Sequence, residues 1–143
     1  IRDAKSKFVS RGDNSGTHSK EKAIWKLAEL DYDSLSTETD FYVSAGTGMG
    51  ATLTMASEQE AYTLTDLATY LSMQDQLSSK VIVSASPDLR NDYSVIVINP
   101  DKVTNVDAET AKAFETWMLS ESTLKLIAEY GKDTYGEALF FTE

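Results

Sequence analysis

The 143-residue chain carries a formal net charge of −10, with 41% hydrophobic residues, 25% charged residues and no cysteine. That length can bury the core of one ordinary domain without covalent staples, and the missing cysteines exclude disulfides and thiolate metal sites. The acidic balance disfavours nucleic acid and anionic membranes, both of which need clustered Lys and Arg, and no run approaches the ~18 consecutive apolar residues of a membrane span. No signal peptide is visible, and a chain that opens on Ile1 is expected to be a processed or truncated product.

Residues 1–7 are polar and read as an entry segment, followed by a short strand end at Phe8-Val9-Ser10. Ser15 is a good N-cap, because its side-chain oxygen can accept from amides one turn on. Apolar residues at Ala23, Ile24, Leu27 and Ala28, with Trp25 beside them, predict an amphipathic helix over 16–30. The acidic, hydroxyl-rich stretch 31–40 has no periodicity and is expected to be a loop. Tyr42-Val43 leads into Gly46-Thr47-Gly48-Met49-Gly50, a glycine turn feeding a second helix with Leu53, Met55 and Ala56 partly buried. Ala61 to Leu64 reads as a strand, and Asp66 as the cap of a short helix through Tyr70 and Leu71.

Val81-Ile82-Val83 and Tyr93 to Ile98 are β-branched runs ended by turn residues, and the second has the continuous apolar character of a strand covered on both faces. Asp107 and Ser120 cap two further helices. The first is expected to bury Ala111, Phe114, Trp117 and Met118; the second carries Leu124, Ile127 and Ala128 and ends at Gly131. Trp25, Trp117, Phe114 and Tyr93 all have the spacing of core residues. Strands alternating with helices give an α/β sandwich.

The chemistry concentrates in Ser10-Arg11-Gly12-Asp13-Asn14-Ser15-Gly16-Thr17-His18. A helix N-terminus leaves amides unpartnered and carries partial positive charge, so anions settle there. Gly16 admits close approach, Thr17 and Ser15 add hydroxyl donors, and Arg11 offers a planar fork to a tetrahedral oxyanion. Asp13 can hold Arg11 in orientation from behind. An ordinary strand-turn-helix junction has the same local composition, and Arg11-Gly12-Asp13 is also an adhesion tripeptide, here abutting a helix start.

Other motifs carry less. His18, the only histidine, has no partner set for zinc and is expected to be a partly exposed first-turn residue. The glycine run at 46–50 lacks the Lys and spacing of a phosphate loop. It reads as a tight turn or, more sharply, as a second helix N-terminus aimed at the same ligand. Asp31, Asp33, Glu38 and Asp40 lack the order of a calcium loop and read as a solvated acidic segment. No nucleophile has a visible general base, so no catalytic apparatus is expected.

The residues at 8–18, with Lys20-Glu21 and Trp25, resemble the tungstate-binding proteins of bacterial ABC transporters. The resemblance continues through 45–53, Met55 to Glu58, Ala61 to Asp66, Asn91 to Ile96, Phe114 to Ser120 and Tyr135 to Phe140. It implies an α/β, three-layer sandwich lobe of a type II periplasmic-binding-protein fold. It further implies an extracytoplasmic protein that is not an enzyme, binding tungstate or molybdate without a cofactor and handing it to a membrane permease. Carried over by position, Arg11 and Thr17 become direct contacts, Ser15 and Gly16 amide donors, the Ala45 amide a further donor, and Asp13 a support behind Arg11.

Two departures accompany it. The Thr/Ser-rich loop of the family's first lobe is not found here, so residues 1–95 are expected to form the second ligand-binding lobe. Residues 96–143 would then be a return segment with C-terminal helices that pack on the first lobe. The surface those helices expose could support self-association. Leu67 stands where the family is expected to have Arg. Phosphate keeps a proton and so benefits from a carboxylate acceptor, a part Asp13 could take only by turning away from Arg11. A phosphate-type binding protein, the effector-sensing domain of a transcription regulator, and a degenerate interaction domain are the other readings.

Overall fold

The computed structural model describes residues 1–84 and 86–142. The chain divides into two compact units, Ile1–Arg90 and Asn91–Glu143.

In the first unit a parallel sheet runs in the order β2-β1-β3, built from β1 (Phe8–Ser10), β2 (Tyr42–Ser44) and β3 (Tyr62–Thr63). Parallel neighbours need crossovers. Here they contain α1 (Gly16–Leu27) with the short α2 (Tyr32–Leu35), and then α3 (Met49–Glu58). Strand alternation sends Phe8 and Ser10 to one face and Val9 to the other. Phe8 meets Trp25 of α1 edge-on at 5.1 Å and stacks on its register partner Tyr42 at 6.0 Å. Leu35 and Phe41 complete this core cluster. Val9 is fully buried, and α3, which packs against β1, buries Met49, Thr52, Leu53 and Ala56 at helical spacing. The unit continues with α4 (Leu67–Met73), whose cap Asp66 accepts from the Thr69 amide at 2.8 Å. Leu67 opens this helix half-buried.

Three expectations change in this unit. The inner face of α1 is His18, Glu21 and Trp25, whereas Ala23, Leu27 and Ala28 are exposed. The buried wall beside β1 is therefore partly polar, and apolar periodicity points to the wrong face. The segment 31–40 is not all loop, because Asp31 caps α2 by accepting from Ser34 N at 3.0 Å and Leu35 is buried in the core. Val81 to Val83 join no strand and are exposed.

The second unit contains α5 (Ala108–Met118), α6 (Glu121–Glu129) and α7 (Lys132–Tyr135). Asp107 and Ser120 cap α5 and α6 through the Thr110 and Thr123 amides. Gly131, at φ 94°, breaks the chain between α6 and α7. Tyr93 to Ile98 form no strand. Val95 and Val97 are half-buried while Ile96 and Ile98 face solvent, so the run alternates without the neighbouring strand that its backbone would need. Phe114 and Trp117 are 54% and 56% exposed and Tyr93 76%, so these aromatics are not core residues within their unit.

Candidate anion-binding site

The loop Arg11–Ser15 leaves the carboxyl end of β1 at the centre of the sheet, where the strand order turns from β2 on one side to β3 on the other. In open α/β sheets ligands bind outside the carboxyl ends of the strands at such a reversal. Ser15 caps α1, its hydroxyl accepting from His18 N at 3.3 Å. The opposite loop is tied alongside: Ala45 N donates to Ser10 O at 2.9 Å and Thr47 N to Arg11 O at 3.3 Å.

Arg11 lies mostly buried, with its side chain 19% exposed. Its Nη2 donates to Asp13 Oδ2 at 2.5 Å, while its buried Nε–H finds no acceptor among the described residues. The other Asp13 oxygen accepts from Ser15 N at 3.1 Å. Hydrogen bonds from Ser15, followed by the Arg11 cation, hold the Asp13 carboxyl down to about 2. Asp13 is thus an ionised group whose two oxygens are already engaged, so it faces Arg11 and does not turn outward as an acceptor.

Thr17 is half-exposed at the start of α1, and a Cβ added to Gly16 would meet nothing within 4 Å, so the helix mouth is open to close approach. The Ala45 amide, expected as an anion donor, is instead spent on Ser10 O as an extension of the β1–β2 ladder. The run 46–50 forms a strand-to-helix turn with Gly46 at φ 62°. Gly48 caps α3, and as a glycine it gives the first amides of that helix no side-chain hydrogen bond.

Beneath the loop lies a layer that the sequence reading missed. Glu21 is 4% exposed, and its carboxylate accepts from Ser10 Oγ at 2.6 Å, Tyr42 OH at 2.8 Å and Trp25 Nε1 at 3.1 Å. Ser10 Oγ in turn accepts from Gly12 N at 3.1 Å. His18 is buried, not the partly exposed residue expected. Its Nδ1 accepts from Asn14 N at 3.0 Å, which leaves Nε2–H to face Tyr32 OH at 2.8 Å. Burial and then the nearby Lys22 push the His18 ring below its ordinary value. Burial also raises the Tyr42 phenol, which remains a donor. The clue in the sequence was the spacing of His18, Glu21 and Trp25 along one helical stripe.

The acidic stretch is occupied locally. Asp31 caps α2, Glu38 pairs with Arg2 at 2.8 Å and Asp40 with Lys5 at 3.7 Å. Among the described residues no cluster of His, Asp and Glu could hold a metal ion, and no helix is long and apolar enough to cross a membrane.

Gly12 sits at φ 62°, and a Cβ there would lie 1.9 Å from Ser44 Oγ. Gly12→Ala is expected to cost about 1–2 kcal/mol through the left-handed backbone alone. Urea unfolding of the two proteins checks this, and equal midpoints would contradict it.

Residues 1–122 match the family model of the PBP superfamily domain. The chain is 52% identical over 140 residues to the tungstate-binding protein TupA of Peptoclostridium acidaminophilum, covering 98% of this chain and 47% of that protein. It is 37% identical to the tungstate-binding protein TupA of Campylobacter jejuni, covering 91% of this chain and 48% of that one. Its fold is similar to the solved tungstate-binding protein TupA from Desulfovibrio alaskensis, with a TM-score of 0.80, 38% identity, and coverage of 100% of this chain and 57% of that structure. The chain spans about half the length of these relatives.

Proposed function

The chain belongs to the PBP superfamily, and from that premise we propose that it is the ligand-binding part of an extracytoplasmic solute-binding protein that holds tungstate or molybdate for an ABC transporter permease. One observation carries the reading: Arg11 is a mostly buried cation with an unpartnered Nε–H, beside the capped N-terminus of α1. Such a group favours a bound anion, since a buried donor left unmet is costly. Arg11 and Thr17 are read as direct contacts and Gly16 as an amide donor, with Asp13 orienting the guanidinium; the Ser15 amide is taken by Asp13 Oδ1, which leaves Ser15 only its hydroxyl to offer. Binding, not catalysis, is the chemistry these groups supply.

Ligand class follows from protonation. Tungstate and molybdate are fully deprotonated near neutral pH and need donors only. Monohydrogen phosphate also needs an acceptor, and both oxygens of Asp13 are engaged by Arg11 and Ser15. The relatives named for tungstate support the same choice. Residues 1–95 are read as one lobe of the clamp and 96–143 as the return segment and helices that pack on the other. In that reading the exposed Phe114 and Trp117 are covered in the whole protein.

Titration calorimetry on the full-length protein tests the proposal. Tungstate should saturate one site, molybdate should follow, and phosphate should bind at least about 100-fold more weakly for want of an acceptor. Phosphate binding more tightly than tungstate would replace the reading with a phosphate-type protein, and silence with all three anions would overturn it.

A further inference from the structure

The hydrogen bonds under the loop close into a ring whose directions are mutually consistent. Asn14 N–H donates to His18 Nδ1, which leaves His18 Nε2–H to donate to Tyr32 OH. Tyr42 OH donates to Glu21, so its 3.4 Å contact with Tyr32 OH is satisfied by the Tyr32 proton. Glu21 then accepts from Ser10, which accepts from Gly12 N–H. The path therefore begins and ends on two amides of one loop, Gly12 and Asn14, flanking Asp13. Both residues lie in the left-handed region, at φ 62° and 59°, the conformation that glycine and asparagine adopt most readily.

We propose that this buried ring is the positioning frame of the anion loop. Glu21 and His18 act on the bound oxyanion only through the Gly12 and Asn14 amides, setting Asp13 and hence the direction of the Arg11 fork. The proposal rests on the oxyanion reading above. Glu21 and His18 touch no ligand in this scheme. They are positioning residues, and the frame works only while His18 offers Nδ1 as an acceptor. A proton on Nδ1 would point a donor at the Asn14 N–H and release the amide between Asp13 and the Ser15 cap.

Lys22 on α1 and Arg11 on the loop oppose a charge on His18, whereas Glu21 on α1 and Asp13 on the loop favour it. Lys22 also lies 4.6 Å over the Tyr32 ring, on the α2 side of the imidazole. Burial raises the Tyr42 phenol, and Asp13 stays ionised down to about 2. His18 is then the group facing the loop whose charge change burial moves below its ordinary value. Its folded value lies under the ordinary 6.5, so the neutral form and the intact frame are present above 6.5 and are lost as the pH falls through the lowered value.

The test uses the full-length protein, with micromolar tungstate measured by calorimetry from neutral to mildly acidic pH. Wild-type affinity should fall about tenfold across the His18 titration, the scale expected for one buried hydrogen bond turned into a clash. His18→Asn, which can still accept from Asn14, should bind within about threefold of wild type at neutral pH and lose this pH dependence, so it also controls for protonation of the anion. His18→Leu and Glu21→Gln should each bind about tenfold more weakly at neutral pH, since one removes an acceptor and the other places an NH₂ among donors.

Nitrogen NMR of the unliganded protein reads the frame without any ligand. His18 should be the Nε2–H tautomer, and the Asn14 amide should shift with the His18 midpoint. An Asn14 amide indifferent to that titration, or wild-type affinity flat through it, would overturn the proposal. Absence of tungstate binding by the wild type at every pH would instead remove the oxyanion reading, and the anion-positioning role with it.

Discussion

On the proposed oxyanion reading, tungstate should raise the melting temperature of the full-length protein, and Arg11→Ala is expected to abolish that rise. Arg11 is the one Lys or Arg between Phe8 and Ser19, in a chain of formal charge −10. Any anion near the loop is therefore held by this local donor against the field of the whole molecule. The side chain is mostly buried, so its charge is screened less than that of a surface arginine. Charge-assisted bonds of a guanidinium fork to an oxyanion are roughly twice as strong as neutral ones, and losing two of them should weaken binding by on the order of 100-fold or more. Ligand stabilisation varies as the logarithm of one plus the ligand concentration over Kd, so a loss of that size removes most of the shift at moderate tungstate. Arg11→Lys keeps the charge but not the planar fork and should fall between the two. Differential scanning fluorimetry with and without tungstate makes the comparison. A shift in Arg11→Ala equal to that of the wild type would remove Arg11 from the site.

What could be read from the sequence was local. Ser15, Asp66, Asp107 and Ser120 all cap the helices they precede, because an N-cap is set by one side chain and amides a few residues on. The Phe8–Ser10 strand and the glycine turn into α3 are local in the same sense. Apart from the local Asp31 cap of α2, what failed was non-local. The β-branched run at 93–98 has strand character, yet whether it pairs depends on a neighbour that periodicity does not name. The Ala45 amide looked available until the β1–β2 register gave it the Ser10 carbonyl.

The largest omission was the ring around Glu21. Hydrophobic periodicity assumes an apolar core, and it places Ala23, Ile24, Leu27 and Ala28, with Trp25 beside them, on the inner face of α1, where of these only Trp25 is buried. The helix instead turns His18, Glu21 and Trp25 inward, where hydroxyls from β1, α2 and β2 satisfy them. A buried carboxylate is tolerable only with its donors in place. Those donors come from Ser10, Trp25 and Tyr42, up to 21 positions away, so no window of sequence contains the reason.

Trp25→Ala is expected to be the most destabilising change in the first unit, because Trp25 serves the apolar core and the polar ring at once. Its indole packs edge-on against Phe8 at 5.1 Å within the cluster of Leu35, Phe41 and Tyr42. Its Nε1–H supplies one of the three donors to Glu21. Truncation of a buried aromatic costs about 3–5 kcal/mol through lost contact and residual cavity. The stranded Glu21 oxygen keeps Tyr42 OH, so the hydrogen-bond loss adds about 1 kcal/mol. For a unit of this size that total should lower the melting temperature by on the order of 10 °C or more. Trp25→Phe separates the two contributions: the ring contact with Phe8 survives while the donor is lost, so the cost should fall to about 1–2 kcal/mol. Urea unfolding of the three proteins decides the matter. Equal losses in Trp25→Ala and Trp25→Phe would mean that the bond to Glu21 dominates. Trp25→Ala within about 1 kcal/mol of the wild type would mean that the cluster around Phe8 closes without the indole. The expected ordering, alanine far below phenylalanine, follows from the physical division of labour at this residue: the indole packing against Phe8 stabilises the core, and the single N–H donates to the Glu21 carboxylate.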